Sequence, residues 1–145
     1  MTRTYVELAP CGVFCGACPS FKKTCYGCAS EDLTQKRSSK WSCKIRDCCY
    51  NKKERQFCVD CEDYPCKLIN KKLMRAHKHD PNFEYRFEIP SIFPYLKIMG
   101  VHKYYRAQTN RWSCYDCEGT IHFYYYQCDK CGKKQRPKES VLSND

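Results

Sequence analysis

Cys114-Tyr115-Asp116-Cys117 and Cys128-Asp129-Lys130-Cys131, two motifs separated by ten residues, decide the fold of the C-terminal part of the chain. Each Cys-x-x-Cys turn directs two sulfurs to the same side, and a hairpin between the turns brings four sulfurs to the corners of a tetrahedron. Gly132 lets the backbone turn directly after the last cysteine. The spacing therefore predicts a zinc ribbon whose ion is structural, because four thiolates leave no position for a reacting water. The predicted ligands are Cys114, Cys117, Cys128 and Cys131.

The distribution of the fifteen cysteines divides the chain of 145 residues. Eleven lie between residues 11 and 66, none between 67 and 113, and four between 114 and 131. We therefore predict a small α+β fold with an irregular cysteine-rich region, a short helical middle and the ribbon. A chain this short buries little apolar surface, so we expect metal ions to replace the missing core. The predicted segments are a metal-binding region at 1–66, a helical linker at 67–110, a zinc ribbon at 111–136 and a disordered tail at 137–145.

The cysteines are expected to be reduced. The first residues have neither an apolar h-region nor a small-residue cleavage site, so we expect a cytoplasmic protein. The odd number of cysteines does not suit an intramolecular disulfide framework. No run of roughly 18 apolar residues predicts a membrane span.

The eleven N-terminal cysteines occur in closely spaced groups that are typical of metal ligands. Two thiolates on one tight turn lower the entropy of assembling a site. Eleven sulfurs fill two four-thiolate sites with three left over, or three sites if His77 or His79 adds a ligand. For these two histidines we favour a solvated helix end, and the spacing does not assign the cysteines to particular ions. The pairs with Cys-x-x-Cys spacing are Cys15 and Cys18, Cys25 and Cys28, and Cys58 and Cys61, and the other candidates are Cys11, Cys43, Cys48, Cys49 and Cys66.

The metal in this region has two candidates, because four thiolates bind either Zn²⁺ or a [4Fe–4S] cluster. We expect zinc and keep the cluster as the alternative. The spacing Cys11-x3-Cys15-x2-Cys18 also matches the cluster motif of radical S-adenosylmethionine enzymes. Those enzymes need a barrel that 145 residues cannot supply, and Ala17 stands where an aromatic residue is usual. Without a Gly-rich phosphate loop, a zincin helix or a nucleophile elbow, we do not predict an enzyme.

The formal charge of +10 suggests nucleic acid, but it counts every thiol as neutral. A zinc ion with four thiolates carries a net charge of about −2, so three such sites would lower the total to roughly +4. The aromatic run Phe123–Tyr126, followed by basic residues, is compatible with stacking on single-stranded RNA or DNA. We favour a role for these rings in the core of the ribbon. The basic residues are Lys130, Lys133, Lys134 and Arg136.

Hydrophobic periodicity predicts little regular structure before residue 64 and helices after it. One helix is predicted over 64–77, and a second from Ser91 to a C-cap at Gly100. Another helix should run from Val101 to Asn110, and the alternation over 121–127 predicts a strand. The polar run at 30–40 predicts a loop or a short exposed helix.

These motifs together resemble a cysteine-rich family, domain of unknown function 3795, which has no assigned activity. The resemblance rests on Cys11–Phe21, Cys25–Cys28, Cys43–Cys48 and Phe57–Cys66. Longer members also look like this chain at Met99–Val101 and Arg111–Cys114. The resemblance implies ten principal cysteines and makes Cys49 the weakest ligand candidate. The ten are Cys11, Cys15, Cys18, Cys25, Cys28, Cys43, Cys48, Cys58, Cys61 and Cys66.

From these patterns we expect a zinc-binding, metal-stabilised protein that serves as a non-catalytic interaction or regulatory module. An unknown protein would be its partner. The alternative from another class is an iron–sulfur protein in electron transfer or redox sensing. Binding of single-stranded nucleic acid through the ribbon is a minor alternative.

Overall fold

The N-terminal cysteine-rich region consists mainly of turns. A computed structural model describes residues 5–23, 25–30 and 43–138 of the chain. A 3₁₀ turn covers Cys15–Ala17, and isolated bridges join Leu8 to Phe14 and Phe21 to Cys25. The predicted loop at 30–40 lies outside the described residues except for Ser30.

The first regular helix, α1, spans Lys44–Asp47 and continues as wider π-helical turns over Cys48–Lys52. A second 3₁₀ turn covers Cys58–Asp60. Helix α2 spans Lys67–Ile69 and again continues as π-helical turns, over Asn70–Arg75. The helix predicted over 64–77 therefore exists, but it begins later, because Cys66 has extended backbone with φ −87° and ψ 176°.

The middle of the chain forms a 3₁₀ helix and then three α-helices. A 3₁₀ helix at Pro81–Arg86 begins at Asp80, whose carboxylate accepts a hydrogen bond from the Asn82 N–H. It is followed by α3 at Ile89–Ile92, α4 at Tyr95–Met99 and α5 at Val101–Arg111. The single helix predicted from Ser91 to Gly100 was wrong, because Pro94 interrupts it and has no N–H to donate. Gly100 ends α4 with φ +90°, a conformation that favours glycine.

A two-stranded antiparallel hairpin forms the ribbon. Strand β1 is Ile121–His122 and β2 is Gln127–Cys128, with Ile121 opposite Cys128 and His122 opposite Gln127. The strand predicted over 121–127 is confirmed only at its two ends, since residues 123–126 form the turn between β1 and β2. Tyr124 and Tyr126 have positive φ values of 73° and 50°, which extended strands do not contain.

An apolar core joins the three predicted segments, which corrects the expectation that metal ions replace it. Leu8 from the first segment, Phe93 from the second and Phe123 from the third are each at most 2% exposed and belong to one buried cluster. The Phe123 N–H donates to the Ala17 carbonyl at 3.1 Å, and its ring stacks on Tyr85 at 4.0 Å between centroids. The ribbon therefore packs directly against the cysteine-rich region.

The short helices and the small hairpin are compatible with the α+β prediction. The boundaries of the predicted segments stay a prediction, and most of the predicted tail, from residue 139 onward, lies outside the described residues. In the part of the chain that the structure describes, no helix has the length and apolar character needed to span a bilayer.

Candidate metal centres

The hairpin brings the four predicted ribbon cysteines together. Their four sulfurs all lie within 4.8 Å of one another. The Cys114 and Cys131 sulfurs are 3.7 Å apart, and the Cys117 and Cys128 sulfurs are 3.5 Å apart. A zinc ion with Zn–S bonds of about 2.3 Å requires tetrahedral S···S distances of about 3.8 Å. The sulfur positions therefore fit one tetrahedral metal ion.

Backbone N–H groups point at these sulfurs. Asp116 donates to Cys114, Gly119 donates to Cys117, and Lys130 donates to Cys128, each over 3.3 Å between nitrogen and sulfur. The donors arise because each Cys-x-x-Cys turn folds its backbone around the preceding sulfur. Such bonds favour the thiolate over the thiol, and the thiolate is the form that binds metal.

The pKa values of the ribbon thiols show why a cation suits this site. The Asp116 N–H is the largest influence on Cys114, and it lowers the pKa of that thiol to about 6. The Gly119 N–H is the largest influence on Cys117 and favours its thiolate, but hydrogen bonds with the other three sulfurs and burial together outweigh it and raise the pKa of Cys117 to about 12. Mutual repulsion thus opposes four adjacent thiolates. A central divalent cation removes this repulsion and deprotonates its ligands.

Gln135 is a site residue that the sequence reasoning missed. Its side-chain nitrogen donates to the Cys114 sulfur at 3.2 Å, and its side-chain oxygen accepts from the Tyr115 N–H at 3.0 Å. The amide therefore fixes both the first ligand and the turn that follows it. No spacing rule connects Gln135 with Cys114, because the pair is separated by 21 residues.

The N-terminal cysteines divide into two groups around two cavities. The first, which we call the six-cysteine cavity, has a volume of about 380 Å³. Its cysteines are Cys11, Cys15, Cys18, Cys25, Cys28 and Cys43. The second, which we call the five-cysteine group, surrounds about 20 Å³. Its cysteines are Cys48, Cys49, Cys58, Cys61 and Cys66.

Helix α1 separates ligands that are neighbours in sequence. Cys43 immediately precedes α1 and lines the six-cysteine cavity, whereas Cys48 lies after it in the five-cysteine group. Arg46, a second residue that the sequence reasoning missed, is buried in α1 and donates from Nε to the Cys28 carbonyl at 2.7 Å. This bond ties the Cys25–Cys28 turn to the helix and fixes one wall of the cavity.

Burial and mutual proximity make the thiols of both groups hard to ionise without a cation. Burial raises the pKa of Cys11 to about 12, and the neighbouring Cys28 sulfur adds to the effect. A hydrogen bond with the Cys28 sulfur, together with burial, raises the pKa of Cys15. A hydrogen bond with the Cys49 sulfur raises the pKa of Cys58 in the same way. Cys11 also influences Cys58, so the two groups are electrostatic neighbours.

Cys49 is buried in the five-cysteine group, and its thiol donates to the Arg55 carbonyl at 3.3 Å. The low rank of Cys49 among the candidate ligands stays a prediction.

The two histidines considered as extra ligands lie away from the cysteines. His77 and His79 are both exposed, and the His77 ring stacks on Phe83 at 3.9 Å between centroids. Neither lines the six-cysteine cavity or the five-cysteine group. Their positions fit the solvated surface that we favoured.

Most rings of the aromatic run contact the protein. Phe123 is 2% exposed, Tyr124 and Tyr126 are half-buried, and Tyr125 is 61% exposed. The Tyr126 hydroxyl accepts from the Tyr85 N–H at 3.2 Å. These contacts support the core role of the rings, and nucleic-acid binding stays a prediction.

Comparison with known proteins finds a family similarity in the N-terminal part of the chain. No curated protein and no solved structure matches the chain. The model of a family described as "Protein of unknown function (DUF3795)" matches residues 7–71. This range contains both N-terminal cysteine groups and ends within the π-helical turns that follow α2. The family resemblance is therefore supported for the cysteine-rich region, and the four-cysteine ribbon lies outside the matched range.

Proposed function

We propose that the chain is a zinc-binding, metal-stabilised protein that acts as a non-catalytic interaction or regulatory module. One observation carries this proposal: the four ribbon sulfurs lie within 4.8 Å of one another, as one tetrahedral zinc ion requires. The ion would be structural, because four thiolates complete its coordination shell and leave no place for substrate or water.

The position of the ribbon supports a role for zinc in stabilising the whole fold. Trp112 directly precedes the ribbon cysteines, and its ring contacts Phe123 in an edge-to-face arrangement at 5.9 Å. Both side chains belong to the buried cluster that extends to Leu8. Loss of the ion would therefore disturb packing far from the sulfurs.

The experiment compares metal content and folding in one preparation. We expect zinc in the purified protein, and we expect chelation to abolish its near-ultraviolet circular dichroism and to lower its thermal midpoint. Cys131→Ser should lower the zinc content by one ion per chain, while Lys130→Ala, an exposed neighbour, should keep it. A zinc-free protein with an unchanged spectrum after complete metal removal would contradict the proposal.

A further inference from the structure

The six-cysteine cavity is too large for one metal ion. Its volume of about 380 Å³ compares with about 20 Å³ in the five-cysteine group. One water molecule takes up about 30 Å³ in the liquid. An occupant that contacts sulfurs on several walls of this cavity must therefore consist of several heavy atoms.

The spacing of the sulfurs supports the same conclusion. In the ribbon all four sulfurs lie within 4.8 Å of one another. Among residues 5–23, 25–30 and 43–138, no other set of three ligand atoms meets that limit, although all eleven N-terminal cysteines belong to these ranges. A mononuclear zinc site needs the closer arrangement. The cysteines of the cavity instead surround a wider space, as the thiolates around an iron–sulfur core do.

The lining of the cavity suits an anionic metal cluster. Lys44, Lys72 and Arg86 lie at its wall. An iron–sulfur core with four thiolates carries a net negative charge, which these cations offset. Apolar side chains such as Phe123 and Leu73 form other parts of the wall and limit the access of water.

We propose that the six-cysteine cavity binds a [4Fe–4S] cluster, with four of its six cysteines as ligands. This inference rests on the proposed function only in that the cysteines bind metal, and it assigns different metals to the two ends of the chain. The ribbon, with its close sulfurs, holds zinc. Two cysteines of the cavity remain beyond the four that the cluster uses.

The test begins with the full chain purified under anaerobic conditions with iron and sulfide supplied. Iron, acid-labile sulfide and zinc are measured per chain in the same sample. We expect about four iron and four sulfide per chain, together with zinc, and a brown colour that fades on reduction with dithionite. A triple variant, Cys15→Ser with Cys25→Ser and Cys28→Ser, leaves three cysteines in the cavity, one fewer than the cluster needs, so it should lose the iron and sulfide and keep the ribbon zinc. Cys61→Ser in the five-cysteine group is the matched control and should keep the iron and sulfide.

Several outcomes would overturn the inference. Zinc without iron would do so, as would iron without sulfide, which indicates a single iron ion between four thiolates. Two iron and two sulfide per chain, or iron and sulfide that persist in the triple variant, would also contradict it. If the triple variant does not fold, Mössbauer spectra of the ⁵⁷Fe-loaded unmodified chain decide whether a four-iron cluster is present. Iron and sulfide in a chain without zinc would instead contradict the function proposed for the ribbon.

Discussion

A Cβ atom placed on Gly119 would lie 2.4 Å from the Cys128 sulfur. The backbone of Gly119 thus packs directly against the sulfur of a candidate metal ligand, and its N–H donates to the Cys117 sulfur. Any side chain at this position must displace one of the four sulfurs.

Gly119→Ala should therefore weaken zinc binding through steric contact with Cys128. We expect at least a tenfold increase in the zinc dissociation constant, measured by competition with a chromophoric chelator. Glu118→Ala, at the exposed preceding residue, is the control and should bind zinc like the unmodified protein. Unchanged affinity in Gly119→Ala would show that the sulfurs adopt another arrangement.

Gln135→Ala should also weaken zinc binding, because it removes the hydrogen bond to the Cys114 sulfur. Groups that orient metal ligands typically contribute about 10- to 100-fold to affinity, and we expect the lower end for this single amide. The same competition assay measures it. Lys130→Ala is the control, because it removes only the side chain and keeps the backbone N–H of residue 130 that donates to the Cys128 sulfur. Equal affinities in the two variants would exclude a role for the amide.

Removal of the ribbon zinc should expose Trp112, which is 3% exposed in the structure. The chain has two tryptophans, so Trp41→Phe leaves Trp112 as the sole reporter. We expect its fluorescence maximum to shift to longer wavelength on chelation and to return when zinc is added. An emission spectrum that does not change on chelation would show that the packing of Trp112 does not depend on the zinc ion.

Arg111→Met should destabilise the fold without direct loss of metal. Arg111 is 7% exposed, pairs with Glu88, and donates from Nε to the Lys138 carbonyl at 2.7 Å. The substitution leaves both partners unsatisfied, although Glu88 can regain some water, so we expect a loss of about 2 kcal/mol in unfolding free energy.

Thermal or denaturant unfolding in the presence of zinc measures this loss. Arg106→Met, at an exposed position of the same helix α5, should change the unfolding free energy by less than about 0.5 kcal/mol. Similar stabilities of the two variants would contradict the structural role of Arg111.

The sequence predicted that the four ribbon cysteines come together, because each Cys-x-x-Cys pair is a local signal, and their sulfurs do lie within 4.8 Å of one another. The sequence could not show how the N-terminal cysteines divide between the six-cysteine cavity and the five-cysteine group. Cys43 and Cys48 look like members of one group along the chain, yet α1 places them at different cavities. Contacts between distant residues, such as Gln135 with Cys114, follow only from the three-dimensional fold. The spacing of such residues along the sequence does not indicate that they are in contact.

The secondary-structure errors have local causes. Alternating large side chains over 121–127 satisfy the pattern of a strand, but a hairpin with Cys128 opposite Ile121 requires a turn within that run. Pro94 lies inside an otherwise helical pattern, and its missing N–H divides the predicted helix into α3 and α4. The helix α5 was predicted within one residue of its end, because its apolar positions recur without interruption.

Phe123 and Tyr124 belong to the ribbon hairpin and also form part of the wall around the six-cysteine cavity. A ribosome makes these two residues more than a hundred positions after Cys11, so a nascent chain presents its first cysteines long before the compartment around them can close. If the cavity holds the proposed cluster, its maturation is thereby tied to synthesis of the ribbon hairpin, and a translation product truncated before Phe123 would leave the cysteines of the cavity uncovered.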